Sequence, residues 1–404
     1  MTAYTSIAVL LFCAIALVIP SGFSIGATLL LLASPVLLWA PAKAVLKNDD
    51  YILIGVFVFY FLIGVVTNLI HGAPLRDYDA PLRLVLAIPA MLLLLAYPPR
   101  SGFLWSGLAV GASTSGLLAG WENLALGNFR AGGYTNPIQF GNISLTLGVL
   151  CLAGLSWARS QRSPSVWTWL LIAAAGMGIL GSLFSGSRGS WLSLPLCLVV
   201  LYRCHGAMLS RRYLISSLIA IIVIFAILYA VPRTGIADRI QQSIHETQDY
   251  LQSGNANNSA GARLEMWRMG LMMFPERPWL GWGKAGYMER TKQLIGAGQV
   301  SPVAAEHSHL HNEYLDALVK RGIPGLFAVL ALFLIPFWLF ARYARQKDLS
   351  PSARACAIGG LLICVSYIGF GLTQAFLTHN NGVMIYAFMT AILWAGLRSQ
   401  VHTA

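Results

Sequence analysis

The sequence predicts an all-α polytopic membrane protein: about twelve transmembrane helices, with one large helical loop between spans nine and ten. Three observations carry this. The 404 residues are 57% hydrophobic and only 10% charged, whereas soluble domains carry about a quarter charged residues. The apolar residues gather into runs that can cross a bilayer, which takes about 20 residues at about 1.5 Å each. A single long polar interruption, 232–322, separates a first group of runs (1–231) from a last group (323–404). No linker marks a second membrane domain.

Taken in order, the runs fall at 5–20, 23–40, 51–70, 82–98, 102–120, 140–158, 166–184, 189–205, 213–231, 323–343, 354–376 and 382–398. Only Ser21 and Gly22 part the first two, so they form a tight helical hairpin. No Lys or Arg precedes the first run. It therefore reads as a span rather than as a signal peptide with a basic leader. The six cysteines, Cys13, Cys151, Cys197, Cys204, Cys356 and Cys364, lie in or at the ends of apolar runs. They lack the spacing of a disulfide framework or a zinc site and read as buried apolar side chains.

A net charge of +12 would suggest nucleic acid in a soluble protein. Here the charges sit in short loops, where they report topology instead. With a cytoplasmic N-terminus, the cytoplasmic segments hold Lys43, Lys47, Arg100, Arg159, Arg162, Arg203, Arg211, Arg212, Arg342, Arg345, Lys347, Arg354 and Arg398. The short loops opposite hold only Arg76, Arg83, Arg130 and Arg188. Long loops are exempt from this bias. Both termini are then cytoplasmic and the long loop lies outside. The four outer arginines sit where the bias disfavours them, which asks for another reason to keep them.

Within the loop, Ser259 can cap a helix running to about Phe274. Leu264, Trp267, Leu271 and Phe274 would form its apolar face, with Arg263 in the first turn. Pro275 and Pro278 end it, and Gly281-Trp282-Gly283 makes a turn. A second helix is expected from near His309 to Arg321, with His311, Leu315 and Leu318 on one stripe; Gly322 and Pro324 lead back to the membrane. Two amphipathic helices at a membrane surface would make a lid over the bundle.

Several residues are candidates for chemistry. His307, His309 and His311 lie within five residues. Extended, the three could bind zinc; one could serve as a base near neutral pH; or they could be incidental to a polar loop. Asp77 and Asp79 form a DxD, which holds a divalent metal in many glycosyltransferases or pairs with Arg76 and Arg83 beside it. Arg188 sits among small residues in S-G-S-R-G-S-W, where a guanidinium can meet lipid phosphate or clamp a specific phosphorylated lipid. Arg130 and Arg263 raise the same question. The spans carry almost no ionisable residues, which argues against a proton-driven transporter, as does the unequal division into nine spans and three.

The stretch from Pro278 to Gly325 resembles the O-antigen ligase and polymerase superfamily. It reads P-W-L-G-W-G, then H-x-H-N-E-Y-L, then G-I-P-G at the start of a span. The S-R-G-S-W turn at Ser187 to Trp191 and the A-G-A-R-L-E-M-W of Ala260 to Trp267 are similar to that family too. So is the layout of twelve spans with a large loop between the ninth and tenth, over nearly the whole chain. The resemblance implies a GT-C-like membrane glycosyltransferase of the Gram-negative inner membrane with its site facing the periplasm. It implies His311 as catalytic base and Arg188 and Arg263 on the donor diphosphate; His309, Asn312, Arg130, Arg83 and Arg76, near them in sequence or on the same side of the membrane, are candidates for support. No cofactor, metal or nucleic acid is expected. The donor would be O-antigen on undecaprenyl diphosphate and the acceptor lipid A–core, among membrane lipids, as in the ligases. Polymerases and protein O-glycosylation enzymes share the family, and a lipid-linked glycan flippase or exporter is the alternative of another class.

Overall fold

The structure, a computed structural model, describes residues 1–39, 46–205 and 236–401, and among them every regular element is helical. The expected span at 213–231, together with Lys43, Arg211, Arg212 and the first residues of the loop, lies outside the described residues. The chain begins with a hairpin of α1 (Thr2–Ala14) and α2 (Gly22–Ala33), the second extended by a 3-10 turn to Leu38. Then come α3 (Asn48–Ile70), α4 (Asp79–Ala96), α5 (Ser101–Gly120), α6 (Pro137–Ala153), α7 (Leu155–Ala158) and α8 (Pro164–Ser185). The run expected at 189–205 folds as two pieces, α9 (Arg188–Trp191) and α10 (Ser193–His205). The intervening segment holds α11 (Ile236–Ser253), α12 (Ser259–Met273) and α13 (Gly283–Gly296). The last group is α14 (Glu313–Ala344), α15 (Pro351–Gly371) and α16 (Asn380–Val401).

Among the described residues, eight helices are long and apolar enough to cross a membrane, and the first hairpin adds two shorter apolar ones. The protein is a multi-pass membrane protein. The membrane-length windows of α15 and α16 are each 89% buried against 33% for α3, so α15 and α16 form the centre and α3 lies at the edge. Lipid supplies no hydrophobic drive between helices, so close approach and internal hydrogen bonds hold such bundles together. The Ser115 and Ser144 hydroxyls meet at 2.9 Å, and Ser144 donates to the Gly178 carbonyl at 2.8 Å, joining α5, α6 and α8. At the end of the bundle away from the 236–312 segment, Asp50 receives Arg398 at 2.9 Å and the Trp394 indole N–H at 2.7 Å. This ties α3 to α16 through a fully buried ion pair.

The 236–312 segment has an apolar core of its own, built on Met266, Met269, Met273, Tyr287, Leu294 and Leu310, which Val319 of α14 joins. Two expectations change here. The cap of α12 is Asn258, whose side chain accepts from the Gly261 N–H at 2.7 Å, rather than Ser259. Its buried face is Ala262, Met266, Met269 and Met273, whereas Leu271 of the expected face is exposed. The methionines win because their unbranched side chains fill the irregular space between three short helices. The second expected helix begins only at Glu313, capped by Asn312, so His309 and His311 precede it and His311 shares no helical stripe with Leu315. Helices α11 and α13, which the apolar pattern did not announce, complete the layer.

This layer is fastened to the bundle along one seam. Trp282 N–H donates to the Val319 carbonyl at 2.9 Å and Ile323 N–H to Pro278 O at 2.8 Å. Thus P-W-L-G-W-G lies against G-I-P-G. His71 donates to the Leu280 carbonyl at 3.1 Å, and Lys284 pairs with Asp77 at 2.7 Å. At the seam α14 breaks at Gly322 (φ 68°, ψ −166°), a conformation only glycine adopts readily. A Cβ there would stand 2.3 Å from the Trp279 carbonyl oxygen.

Gly322→Ala is therefore expected to unseat the layer: limited proteolysis should cut within 277–323 at least several-fold faster than in the parent, and parental resistance would refute this role for the seam.

Candidate active site

The base candidate is placed by its successors. Three consecutive residues dock on the connection between α15 and α16. His311 Nδ1 meets Gln374 Oε1 at 2.6 Å, Asn312 Nδ2 donates to the Leu372 carbonyl at 3.2 Å, and Glu313 accepts from the Leu377 N–H at 2.8 Å. Asn312 also accepts from Leu315 N–H at 3.0 Å, which starts α14. From the other side, Asp316 accepts from the Leu310 N–H at 3.0 Å, Lys320 donates to the Ser308 carbonyl at 2.7 Å, and the Trp267 indole of α12 donates to the Leu310 carbonyl at 2.9 Å. His311 itself has φ 48°, rare for a residue with a side chain. Such a conformation costs on the order of 1–3 kcal/mol and persists only where its surroundings over-determine it, as these bonds do.

Around it the imidazoles crowd. The His309 ring lies 4.3 Å from that of His311, His307 lies 4.8 Å from it, and His379 lies 5.3 Å from His309. Burial, then the His309, Arg263 and His307 charges, push the His311 pKa far below its ordinary value, with the Gln374 bond opposing. Burial likewise holds His309 down, to about 4. Both rings are neutral at physiological pH.

Three arginines from three places converge beside them. Arg188 opens α9, one residue after Ser187 and beside the left-handed Gly186. It donates to Ser243 and Gln242 of α11. Gly189 next to it faces the connection that carries Gln374: a Cβ would sit 2.0 Å from Thr373 Oγ1. Arg130 donates its Nε to the Ser185 carbonyl at 2.9 Å, at the end of α8. Arg263 projects from the first turn of α12. Its pKa falls through burial and then through the positive charges of Arg130 and Arg188, with Glu246 opposing. Arg188 is shifted in the same way by burial against Glu246. Glu246 is itself buried, accepting from Gln242 at 2.7 Å and from the Ala260 N–H at 3.1 Å. Arg188 and Arg263 thus share one carboxylate, with Arg130 beside them and paired to the Ser185 carbonyl. Arg263 also acts on His311, so the clamp and base candidates form one constellation.

The other candidates go elsewhere. Arg83 pairs with Asp79 at 2.7 Å, one turn away on α4; Asp77 pairs with Lys284; Arg76 is exposed in the same connection. The two DxD carboxylates thus serve separate cations. Among the described residues, no group of three or more His, Cys, Asp or Glu is placed to hold a metal ion. The His311 ring packs edge to face on those of His307 and His309, and His307 stacks on His309. Sequence reasoning missed Gln374, His379 and Glu246. The first sat inside an apolar run, and Glu246 lay in a helix with no apolar periodicity. Only the polar string T-H-N-N at 378–381 could have drawn attention to that connection.

A family model described as O-antigen ligase matches residues 173–330, which include Arg188, Arg263 and His311. The chain is 30% identical over 375 residues to an uncharacterised protein of Haemophilus influenzae, covering 92% of each. It is 26% identical over 191 residues to the O-antigen ligase of Escherichia coli K12, covering 46% of this chain and 42% of that one. On these matches, and with the multi-pass helical fold that carries them, the chain belongs to the O-antigen ligase family of membrane glycosyl-transferring enzymes.

Proposed function

We propose that this protein is an O-antigen ligase, moving O-antigen polysaccharide from undecaprenyl diphosphate onto lipid A–core at the periplasmic face of the inner membrane. The observation that carries this is the meeting of Arg130, Arg188 and Arg263 beside a neutral His311. Arg130, Arg188 and Arg263, with Glu246 set against the last two, leave an excess of positive charge. That excess complements a diphosphate bearing one negative charge on each phosphate. The likeness to the Escherichia coli ligase favours the lipid A–core acceptor over a growing glycan or a protein hydroxyl.

The chemistry then follows. A glycosyl diphosphate already has a good leaving group, so neither ATP nor a general acid is required. The acceptor hydroxyl is a weak nucleophile, and His311 Nε2 takes its proton as the oxygen attacks the anomeric carbon. A positioned base of this kind contributes typically ~10²–10⁴-fold. The bond from that carbon to the diphosphate oxygen breaks, its electron pair stays on the diphosphate, and the anomeric configuration inverts. Fixed guanidiniums stabilise the developing charge without reorganising, as an oxyanion hole does, in place of a metal ion. Arg188 comes from the bundle and Arg263 from the layer above, so a lipid diphosphate enters between them from the membrane side and the acceptor from the periplasm. Asn312 holds the base segment, and His309 keeps water from its ring.

Purified protein given lipid-linked O-antigen and lipid A–core should form ligated product with no energy source and in EDTA; EDTA loss rescued by a divalent ion would return Asp77 and Asp79 to the chemistry, and product only with a growing glycan as acceptor would make the protein a polymerase. His311→Ala should abolish transfer while keeping donor binding. Arg188→Lys and Arg263→Lys should each lower kcat on the order of 10²-fold or more, because an ammonium lacks the two-pronged guanidinium; full activity in both removes the clamp. A base must be deprotonated, and burial and neighbouring cations depress His311. The kcat/KM for donor, which reports the free enzyme, should therefore stay level as pH falls through the ordinary histidine value of about 6.5. An acid limb centred there would contradict the base assignment.

A further inference from the structure

We propose that Gln374 is a positioning residue that fixes the tautomer of His311, its amide nitrogen lying against His379. This rests on the reading of His311 as the base. Gln374 is 3% exposed and lies in the connection between α15 and α16, between two imidazoles: Oε1 is 2.6 Å from His311 Nδ1, and Nε2 is 2.8 Å from His379 Nε2. A side-chain amide has one accepting end and one donating end, and a neutral imidazole has one of each. Nε2 of the amide can only donate, so His379 presents a lone pair there. Oε1 can only accept, so the ring proton of His311 stands on Nδ1. The Nε2 of His311 is then bare and able to take a proton.

Two further features assign this job to Gln374 rather than to the backbone. The left-handed backbone of His311 and the docking of Asn312 and Glu313 hold the chain, but neither touches the ring. Thr373, the preceding residue, lies against Gly189 beside Arg188. The connection that orients the base therefore also abuts the turn that carries one of the arginines, and a shift of one would move the other. An amide also orients without adding charge. A carboxylate in its place would hold a proton on the ring, in competition with the acceptor hydroxyl. The groups facing His311 are His307, His309, Arg263 and Gln374, and those facing His379 are His309, Asp316 and Gln374. Among the described residues, no carboxylate is hydrogen-bonded to either ring.

The test uses the full-length protein in detergent or lipid nanodiscs, with lipid-linked glycan donor and lipid A–core acceptor. Gln374→Glu keeps an acceptor for Nδ1–H but adds a negative charge, which raises the His311 pKa. The acid limb of kcat/KM should move to higher pH, with activity recovered on the alkaline side. Gln374→Met keeps size and loses both hydrogen bonds. Its kcat should fall on the order of 10- to 100-fold, as when the outer partner of a functional imidazole is removed, with donor KM and thermal stability unchanged. A Glu variant whose pH profile does not move, or a Met variant with parental kcat, overturns the positioning role while an inactive His311→Ala leaves the base in place. A Met variant that loses donor binding and stability along with kcat makes Gln374 a packing residue and overturns it equally. Transfer that survives His311→Ala removes both the base and its positioner.

Discussion

The structure depends on the docking of three consecutive residues, His311, Asn312 and Glu313, onto the connection between the two most buried helices. Each makes one hydrogen bond to that connection, to Gln374, Leu372 and Leu377 in turn. The second of them also starts α14. Because α15 and α16 are the centre of the bundle, the histidine is referenced to the stiffest part of the molecule rather than to the segment that carries it. That is how a residue next to an irregular stretch can have a defined ring position, and it accounts for the left-handed backbone at His311. A strained residue survives where several independent bonds demand it.

Electrostatics follows from the same arrangement. Guanidiniums from a turn below, a connection beside and a helix above gather near one buried carboxylate, which acts on two of them, in surroundings drier than water. Like charges there cost more than in solvent. The guanidiniums therefore repel one another, and an anion between them would relieve that repulsion. One of these cations, Arg263, joins burial in holding the His311 pKa down. In the reaction we propose, Arg263 would serve the diphosphate and keep the base unprotonated at once, with no separate device for the second task.

Much of this was legible beforehand. The apolar runs marked the spans because a bilayer accepts little else, and Arg188, Arg263 and His311 could be singled out by their motifs. The glycines of those motifs have plain reasons in contact: Gly189 admits Thr373, and Gly322 turns α14 where Trp279 presses on it. The loop was harder. Its helices are polar on most sides, and the face that α12 buries is set by what α13 and α14 present to it, so local periodicity pointed to Leu264 and Leu271 instead. His311 was expected on a helix that starts two residues later. Asp77, one half of a DxD, found its partner in Lys284, some two hundred positions away.

What the sequence determined by itself was the class of the molecule and the identity of its candidate groups, since hydropathy and short motifs are local properties. What only the tertiary structure decided was which groups meet. Gln374 looked like one polar residue at the end of an apolar run, and Glu246 like one acid in a polar helix. Their places, against His311 and among the arginines, come from the packing of helices remote in the chain, and no local pattern records a contact made across it.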